Sequence, residues 1–454
     1  MRRYSSIFIW VLAGILVSTT SDAQLGLNQG AHATDNPKIG GLNFPVSDDA
    51  QTIQANLAPP QMARAPEPNP GVVLDWNTSA DEILVEGGLG PASAYRAMAI
   101  VQTAVYEAVN AITRHYPASE LQLEVAPGAS VEAAIAAANH TTLLELVPAE
   151  EAAIAIAYQE ALADIEDSAA KTAGITVGQE AAIQVLDKRI DDGAATPETY
   201  RPHTTPGVYV PTAAPAGPQW PQRQPWLMDS PTQFRPEAPP DLASEAWARD
   251  YNEVKALGSA DSRRRSPEQS EIARFWEATH PPIYHGLIQS VASQPGRQVT
   301  QNARLFAAVT QAMDDALIAV MEAKYYYHFW RPVTAIRNGD QDGNQATERD
   351  PTWTPYIEPP MHPEYPCAHC ILAGVVSTVL QAEIGTDPTP LLTTTSPTAE
   401  GAERRFATLD DFVEEVEQAR IYGGVHYRTA NEVGTAMGQQ VGELAVAKYL
   451  HSLE

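Results

Sequence analysis

The sequence predicts an all-α protein, a multi-helix bundle with long, proline-rich ordered loops. Three observations carry that expectation. Apolar residues recur at spacings of three and four, several of these stretches are rich in Ala, and no run alternates long enough to build a sheet. With 454 residues and 44% hydrophobic content the chain can bury a sizeable core, as one large domain or as two to three ordinary ones.

Taken in order, the chain opens on an export signal over residues 1–23. Arg2 and Arg3 precede an apolar run from Ile7 to Val17, and Ser21-Asp22-Ala23 forms a small-x-small cleavage pattern before Gln24. That run is too short for a comfortable membrane span, and no later stretch is long and apolar enough. A secreted or periplasmic protein, with no membrane association after cleavage, is the expectation. Residues 24–72 are rich in Asn, Asp, Pro, Gly and Gln without apolar periodicity, and read as an extended or disordered segment.

Residues 73–240 form an N-terminal helical half. Its patterning starts near Pro91: Tyr95, Met98, Val101, Val105 and Val109 mark a helix over 92–112. Ala-rich helices follow at about 131–146, 149–166 and 174–191, the last ending at Asp191-Asp192-Gly193. From Ala194 to Pro240 prolines alternate with aromatic anchors such as Trp220 and Trp226. A segment this long without periodicity is uncommon in a compact domain, so it reads as an ordered arm laid over helices, available for oligomer contacts. Residues 241–454 form a C-terminal helical half, with helices at about 241–257, 266–278, 297–329, 367–384, 409–422 and 430–451.

Charge narrows the function. Asp and Glu outnumber Lys and Arg by 56 to 29, a formal charge of −27, which excludes nucleic acid and anionic membrane surfaces as partners. Against that background three basic islands stand out in the C-terminal half: Lys324 to Pro332, His362 to Cys370, and Arg420 to Arg428. Together they offer Lys324, Arg331, Arg420, His369 and His426, a set able to hold a small oxyanion in one pocket.

Each island has its own reading. Lys324 and Arg331 lie seven apart, on one face if the helix continues to Pro332. Alone, such a pair is commonly a solvated one. Pro366 suits the first turn of a helix, which places Cys367, Ala368 and His369 at its N-terminus, where free amides favour an anion and His369 can move a proton. A rival takes Cys367-x-x-Cys370 with His369 or His362 as a zinc or redox site, although adjacent ligands at 369 and 370 are awkward for one tetrahedral ion. A disulfide between Cys367 and Cys370 would close so short a loop that it adds little stability. In the third island Gly423-Gly424 breaks a helix after Arg420 and delivers His426 to the mouth of the last one.

These motifs resemble those of the vanadium-dependent haloperoxidases and their relatives, the bacterial non-specific acid phosphatases and the type 2 phosphatidic acid phosphatases. Lys324 to Pro332 fits the pattern Lys-x6-Arg-Pro, with Phe329-Trp330 before Arg331. Pro366-Cys367-Ala368-His369 stands where that family has Pro-Ser-Gly-His, and Ala419-Arg420 to His426 where it has Ser-Arg-x5-His. Ala430 stands where the family usually has Asp. The likeness covers roughly residues 72–450.

The resemblance implies vanadate as cofactor, with His426 its axial ligand. Lys324, Arg331 and Arg420 would neutralise its oxygens, and Cys367 and Ala368 would line the same site. His369 would be the acid–base residue and Lys324 would polarise bound peroxide, so that hydrogen peroxide oxidises bromide, iodide or chloride to a halogenating species that reacts with an organic acceptor. It also suggests homodimers. Ala430 would deprive His426 of its usual orienting carboxylate. Two alternatives stand beside the peroxidase: an acid phosphatase in which His426 takes the phosphoryl group, and a non-catalytic oxyanion-binding relative.

Overall fold

The computed structural model describes residues 68–450. The expected signal peptide and nearly all of segment 24–72 lie outside the described residues. The described residues all fall within one compact unit. Among the described residues there are thirteen α-helices and a single two-stranded hairpin, so the all-α expectation holds.

The first five helices are α1 (Gly71–Glu86), α2 (Pro91–Thr113), α3 (Val131–Leu146), α4 (Glu151–Ala163) and α5 (Ala169–Asp187). Helix α1 precedes Pro91, where helical patterning was expected to begin. Its apolar stripe is interrupted by Asn77 and Asp81, both buried. They pair with His285 and Gln289 of α8 (Pro282–Ala292), which the periodicity also missed: His285 Nδ1 lies 2.7 Å from Asp81, and Gln289 donates to Asn77 at 3.0 Å. Both helices still carry an apolar face, Val73, Trp76, Ala80, Ile83 and Leu84 in α1 and Ile283, Leu287, Ile288 and Val291 in α8. Helix starts follow capping chemistry, with Ser130 capping α3 and Ser168 capping α5.

The remaining helices are α6 (Glu245–Leu257), α7 (Pro267–Phe275), α9 (Val299–Tyr327), α10 (Pro332–Arg337), α11 (Ala368–Ile384), α12 (Leu409–Tyr422) and α13 (Arg428–Ala445). Helix α9 is the axis of the bundle: 29 residues long, it is buried from Val299 to Lys324 with few breaks and packs against α2, α11 and α13. Its polar residues are paired, as burial requires. Asp314 accepts both terminal nitrogens of Arg223 (2.5 and 2.9 Å), and Asp315 accepts the amides of Trp226, Leu227 and Met228.

Those contacts fasten the proline-rich segment 194–240 along α9. Arg235 pairs with Glu322, Tyr325 donates to the Ala216 carbonyl at 2.6 Å, and Tyr209 donates its amide to His328. The segment is therefore an arm laid over helices, as its composition predicted.

The hairpin corrects the expectation of no sheet. Strand β1 (Leu392–Ser396) pairs antiparallel with β2 (Ala402–Phe406), Leu392 opposite Phe406 and Ser396 opposite Ala402. Its first strand is a Thr run that docks on α8 through hydroxyls, Thr394 donating to the Ile283 carbonyl at 2.6 Å. Among the described residues no helix is long and apolar enough to cross a membrane.

Candidate functional site

The three islands converge, but not along one helix face. Helix α9 stops at Tyr327 because His328 takes a left-handed conformation (φ 53°), and Arg331 becomes the residue that starts α10, with Pro332 in its first turn. The helix expected over 297–329 thus ends at Tyr327, and the condition for a shared face, continuation to Pro332, is not met: a turn and a second helix follow. Both side chains nevertheless reach one place, because both bind the turn 362–366.

That turn gathers the cations by its backbone. Lys324 is fully buried, and its ammonium donates to the carbonyls of Pro363 (3.1 Å), Glu364 (2.8 Å) and Pro366. Burial and the nearby Arg331 charge hold its pKa well below the ordinary lysine value, while Glu364 opposes that shift. Its three N–H donors meet three acceptors, the full complement of an ammonium. Arg331 donates Nε to the His362 carbonyl at 3.0 Å and Nη1 to the Val425 carbonyl at 2.8 Å.

Arg331 also meets two histidines. His362 Nδ1 lies 3.0 Å from Arg331 Nη2, a donor, and 3.1 Å from the Pro363 carbonyl, an acceptor, so both flank the same ring nitrogen. Arg331 Nη1, which can only donate, lies 3.2 Å from His426 Nε2, so Nε2 accepts and the proton sits on Nδ1, 2.8 Å from Glu364 Oε1. Burial, then the charges of Arg331, Lys324 and Arg420, hold His426 well below the ordinary imidazole pKa, so it is neutral at pH 7. Glu364 itself is pushed up to about 8 by burial, against the pull of Lys324, Arg331 and the Tyr427 amide.

Glu364 also corrects the consequence drawn from Ala430. That alanine sits one turn past His426 in α13 and is buried, yet His426 does not lack a carboxylate. Glu364 supplies it from the opposite segment and accepts the Tyr427 amide at 3.0 Å as well. Sequence reasoning passed over Glu364, although one signal was present: an acidic residue inside an island otherwise counted for its cations.

Above these groups opens a cavity of about 550 Å³. Its floor is formed by His362, Ala368, His369, Arg420 and His426; Lys324, Arg331 and Cys367 are not among its lining residues and lie behind that floor. Arg420, in the last turn of α12, donates Nη1 to the Trp276 carbonyl at 2.6 Å, and its buried Nε has no protein partner. His369 donates Nε2–H to the Ala278 carbonyl at 3.0 Å, which leaves Nδ1 as its basic atom. Burial and the Arg420 charge keep this ring neutral too. Gly424 (φ 76°) turns the chain from α12 into the segment bearing His426, pressed so close to the Gly258 carbonyl that a side chain there would collide.

Cys367 caps α11, its sulfur accepting the Cys370 amide at 3.2 Å, and both thiols are free and fully buried. Among the described residues no His, Cys, Asp and Glu side chains gather into a metal-holding cluster, so the zinc reading of Cys367-x-x-Cys370 finds no geometry to support it. Ala368 and His369 occupy the first turn of α11, where helix geometry leaves amides unpaired within the helix. The walls of the cavity are apolar, with Trp220, Leu317, Met321 and Leu372 among them.

Residues 304–454 match the family model of the VCPO second helical-bundle domain. The chain is 27% identical over 243 residues to the vanadium chloroperoxidase of Curvularia inaequalis; the match covers 41% of this chain and spans only 39% of that protein. Its fold is similar to that of a bacterial vanadium-dependent iodoperoxidase (TM-score 0.72, 23% identity, 85% of this chain and 98% of that one). It is also similar to an apo bacterial vanadium-dependent chloroperoxidase (TM-score 0.65, 18% identity, 80% of this chain and 96% of that one).

Proposed function

We propose that the chain, whose residues 304–454 match the family model of the VCPO second helical-bundle domain and hold all three basic islands, is a vanadate-dependent haloperoxidase that acts on halide and hydrogen peroxide. The observation that carries the proposal is the imidazole of His426, neutral, buried and held by Glu364 so that Nε2 offers a lone pair at the cavity floor. The donor set fits an oxyanion. Arg420 keeps a buried Nε without a partner, the first amides of α11 face the same floor, and Arg331 stands beside Nε2.

His426 would hold vanadate through Nε2, with Arg420, Arg331 and the Ala368 amide around its oxygens. Bound there, vanadate supplies a Lewis-acidic centre that makes peroxide electrophilic toward halide. The protein's own share is electrostatic and protonic. Arg331 and Arg420 would offset the anion's charge, and His369 Nδ1 would take a proton from peroxide. Lys324, with its donors committed to carbonyls, contributes fixed positive charge behind the floor and holds the turn 362–366 in place. The apolar walls suit an organic acceptor that captures the halogen inside the cavity.

A second reading has one observation in its favour. A carboxylate-held neutral imidazole is also what a phosphohistidine-forming acid phosphatase needs, and Glu364 provides that carboxylate. One pair of assays separates the two. Halogenation of a phenolic dye with peroxide and bromide or iodide should require added vanadate and be suppressed by phosphate. Hydrolysis of a phosphomonoester that vanadate blocks, with no halogenation, would reject the peroxidase. Export is part of the same proposal, supported by the signal-like residues 1–23. N-terminal sequencing of protein recovered outside the cytoplasm should begin at Gln24, and a retained Met1 would count against it.

A further inference from the structure

We infer that Glu364 is the positioning residue for His426, doing from the turn before α11 what the residue four places after His426 cannot do in this chain. The inference rests on the reading of His426 as the oxyanion ligand, and four observations support it.

The carboxylate and the imidazole are sealed together, Glu364 unexposed and His426 at 1%, with Nδ1 2.8 Å from Oε1. The same oxygen accepts the Tyr427 amide at 3.0 Å, so the carboxylate fixes the backbone that carries the ring as well as the ring itself. Among the described residues no other group accepts from Nδ1. Ala430, whose methyl faces the same small enclosed space as Glu364, has no polar atom to give. Finally, the Glu364 backbone carbonyl accepts Lys324 while its amide donates to the Phe329 carbonyl, so the residue is anchored independently of its side chain. A carboxylate can then hold His426 at a fixed angle, because its own main chain is held by the first island.

The chemical consequence is tautomeric. With Nδ1–H committed to Glu364, the lone pair must reside on Nε2, the atom on the cavity side. Without an acceptor at Nδ1, the proton is free to move to Nε2, where it would block an oxyanion's central atom and instead donate toward it. Arg331 Nη1 would then lose its acceptor at 3.2 Å.

The test uses the purified full chain and three variants. E364L removes the acceptor at similar volume, E364Q keeps an acceptor oxygen without an ionisable group, and E364L/A430D returns a carboxyl group to the facing helix. Vanadate binding to each apo-protein is read by calorimetry, with inorganic phosphate as a second probe, and the His426 tautomer by nitrogen-15 spectra of histidine-labelled protein. E364L should raise the vanadate Kd by about 10- to 100-fold, as loss of an outer carboxylate does elsewhere. It should also shift His426 from the Nδ1–H form. E364Q should retain that form with a smaller loss of affinity, and A430D should restore part of it. Wild-type affinity in E364L, or an unchanged tautomer, overturns the inference. Failure of the wild-type chain to bind vanadate at all would instead overturn the peroxidase reading, and the nitrogen spectra would still decide the role of Glu364. A thermal melt of each variant separates these outcomes from unfolding.

Discussion

Substituting Gly438 by Ala puts the closest helix contact in the molecule to the test. Helices α11 and α13 meet along Gly434, Gly438 and Gly442, and a methyl on Gly438 would lie 2.0 Å from the Ile371 carbonyl oxygen and 2.9 Å from its carbon. Two opposing effects decide the outcome. Intrinsic helix propensity favours Ala over Gly by about 1 kcal/mol, so a loosely packed site would be stabilised. Here the obstacle is backbone rather than a side chain that can rotate away, so overpacking costs about 3 kcal/mol, the upper end of its usual range. The difference leaves G438A destabilised by about 2 kcal/mol. To reach an ordinary carbon–oxygen contact the helices must part by roughly 1 Å, two residues from His369. A displacement of that size at a reacting centre costs up to about 100-fold in turnover. Urea unfolding gives the first quantity, and vanadate-reconstituted halogenation the second. G442A, whose methyl would meet the Thr378 side chain at 2.8 Å, should be milder on both. A G438A protein more stable than wild type, with full turnover, would refute the close approach on which the reasoning depends.

Further outcomes follow from the same structure. H426A should abolish vanadate binding in equilibrium dialysis, whereas H369A should bind vanadate and lose turnover; intact turnover in both would remove these residues from the site. D314A should destabilise the chain by about 3 kcal/mol in urea unfolding, the lower end for a broken buried pair, because Asp192 still faces Arg223 at 2.9 Å. Asp192 supplies a pH dependence. Burial raises its pKa, but Arg96 and Arg223 outweigh that and hold it below the ordinary 3.8. A depressed carboxylate contributes stability that is present above the unfolded-state pKa and lost as pH falls through the folded one. D192N should therefore be less stable near neutrality and should show a shallower loss of melting temperature on acidification below about pH 4. An unchanged acid limb would disprove it.

Much of this was legible in the chain. The helix over 92–112, the long central helix and the Ser- or Thr-capped starts of α3 and α12 follow from apolar spacing and end chemistry, which are local. The convergence of Lys324, Arg331, His369, Arg420 and His426 followed from their clustering in an acidic chain. What stayed hidden depended on partners far away in sequence. Helices α1 and α8 were passed over although their apolar spacing is regular; what the chain could not show is that Asp81 and Asn77 meet His285 across about two hundred residues. The end of α9 was obscured because Tyr325 to Trp330 reads as one aromatic stretch, whereas His328 turns left-handed to let Trp330 donate its amide to Gly207 of the arm. Glu364 was obscured because its value lies in a bond to a residue 62 positions on.

The arm has a consequence for how such a protein can diversify. Charge and proton handling belong to helices and to the turn 362–366, where each cation answers to several backbone carbonyls and a single change disturbs many bonds. Gly217 and Trp220, by contrast, bring to the cavity wall a segment with little regular structure, pinned to α9 at the Ala216 carbonyl and at Arg223. Between those pins the loop can lengthen, shorten or exchange side chains at little cost to the bundle. Inheritance can thus redraw the choice of guest molecule while the reactive base of the chamber stays as it is.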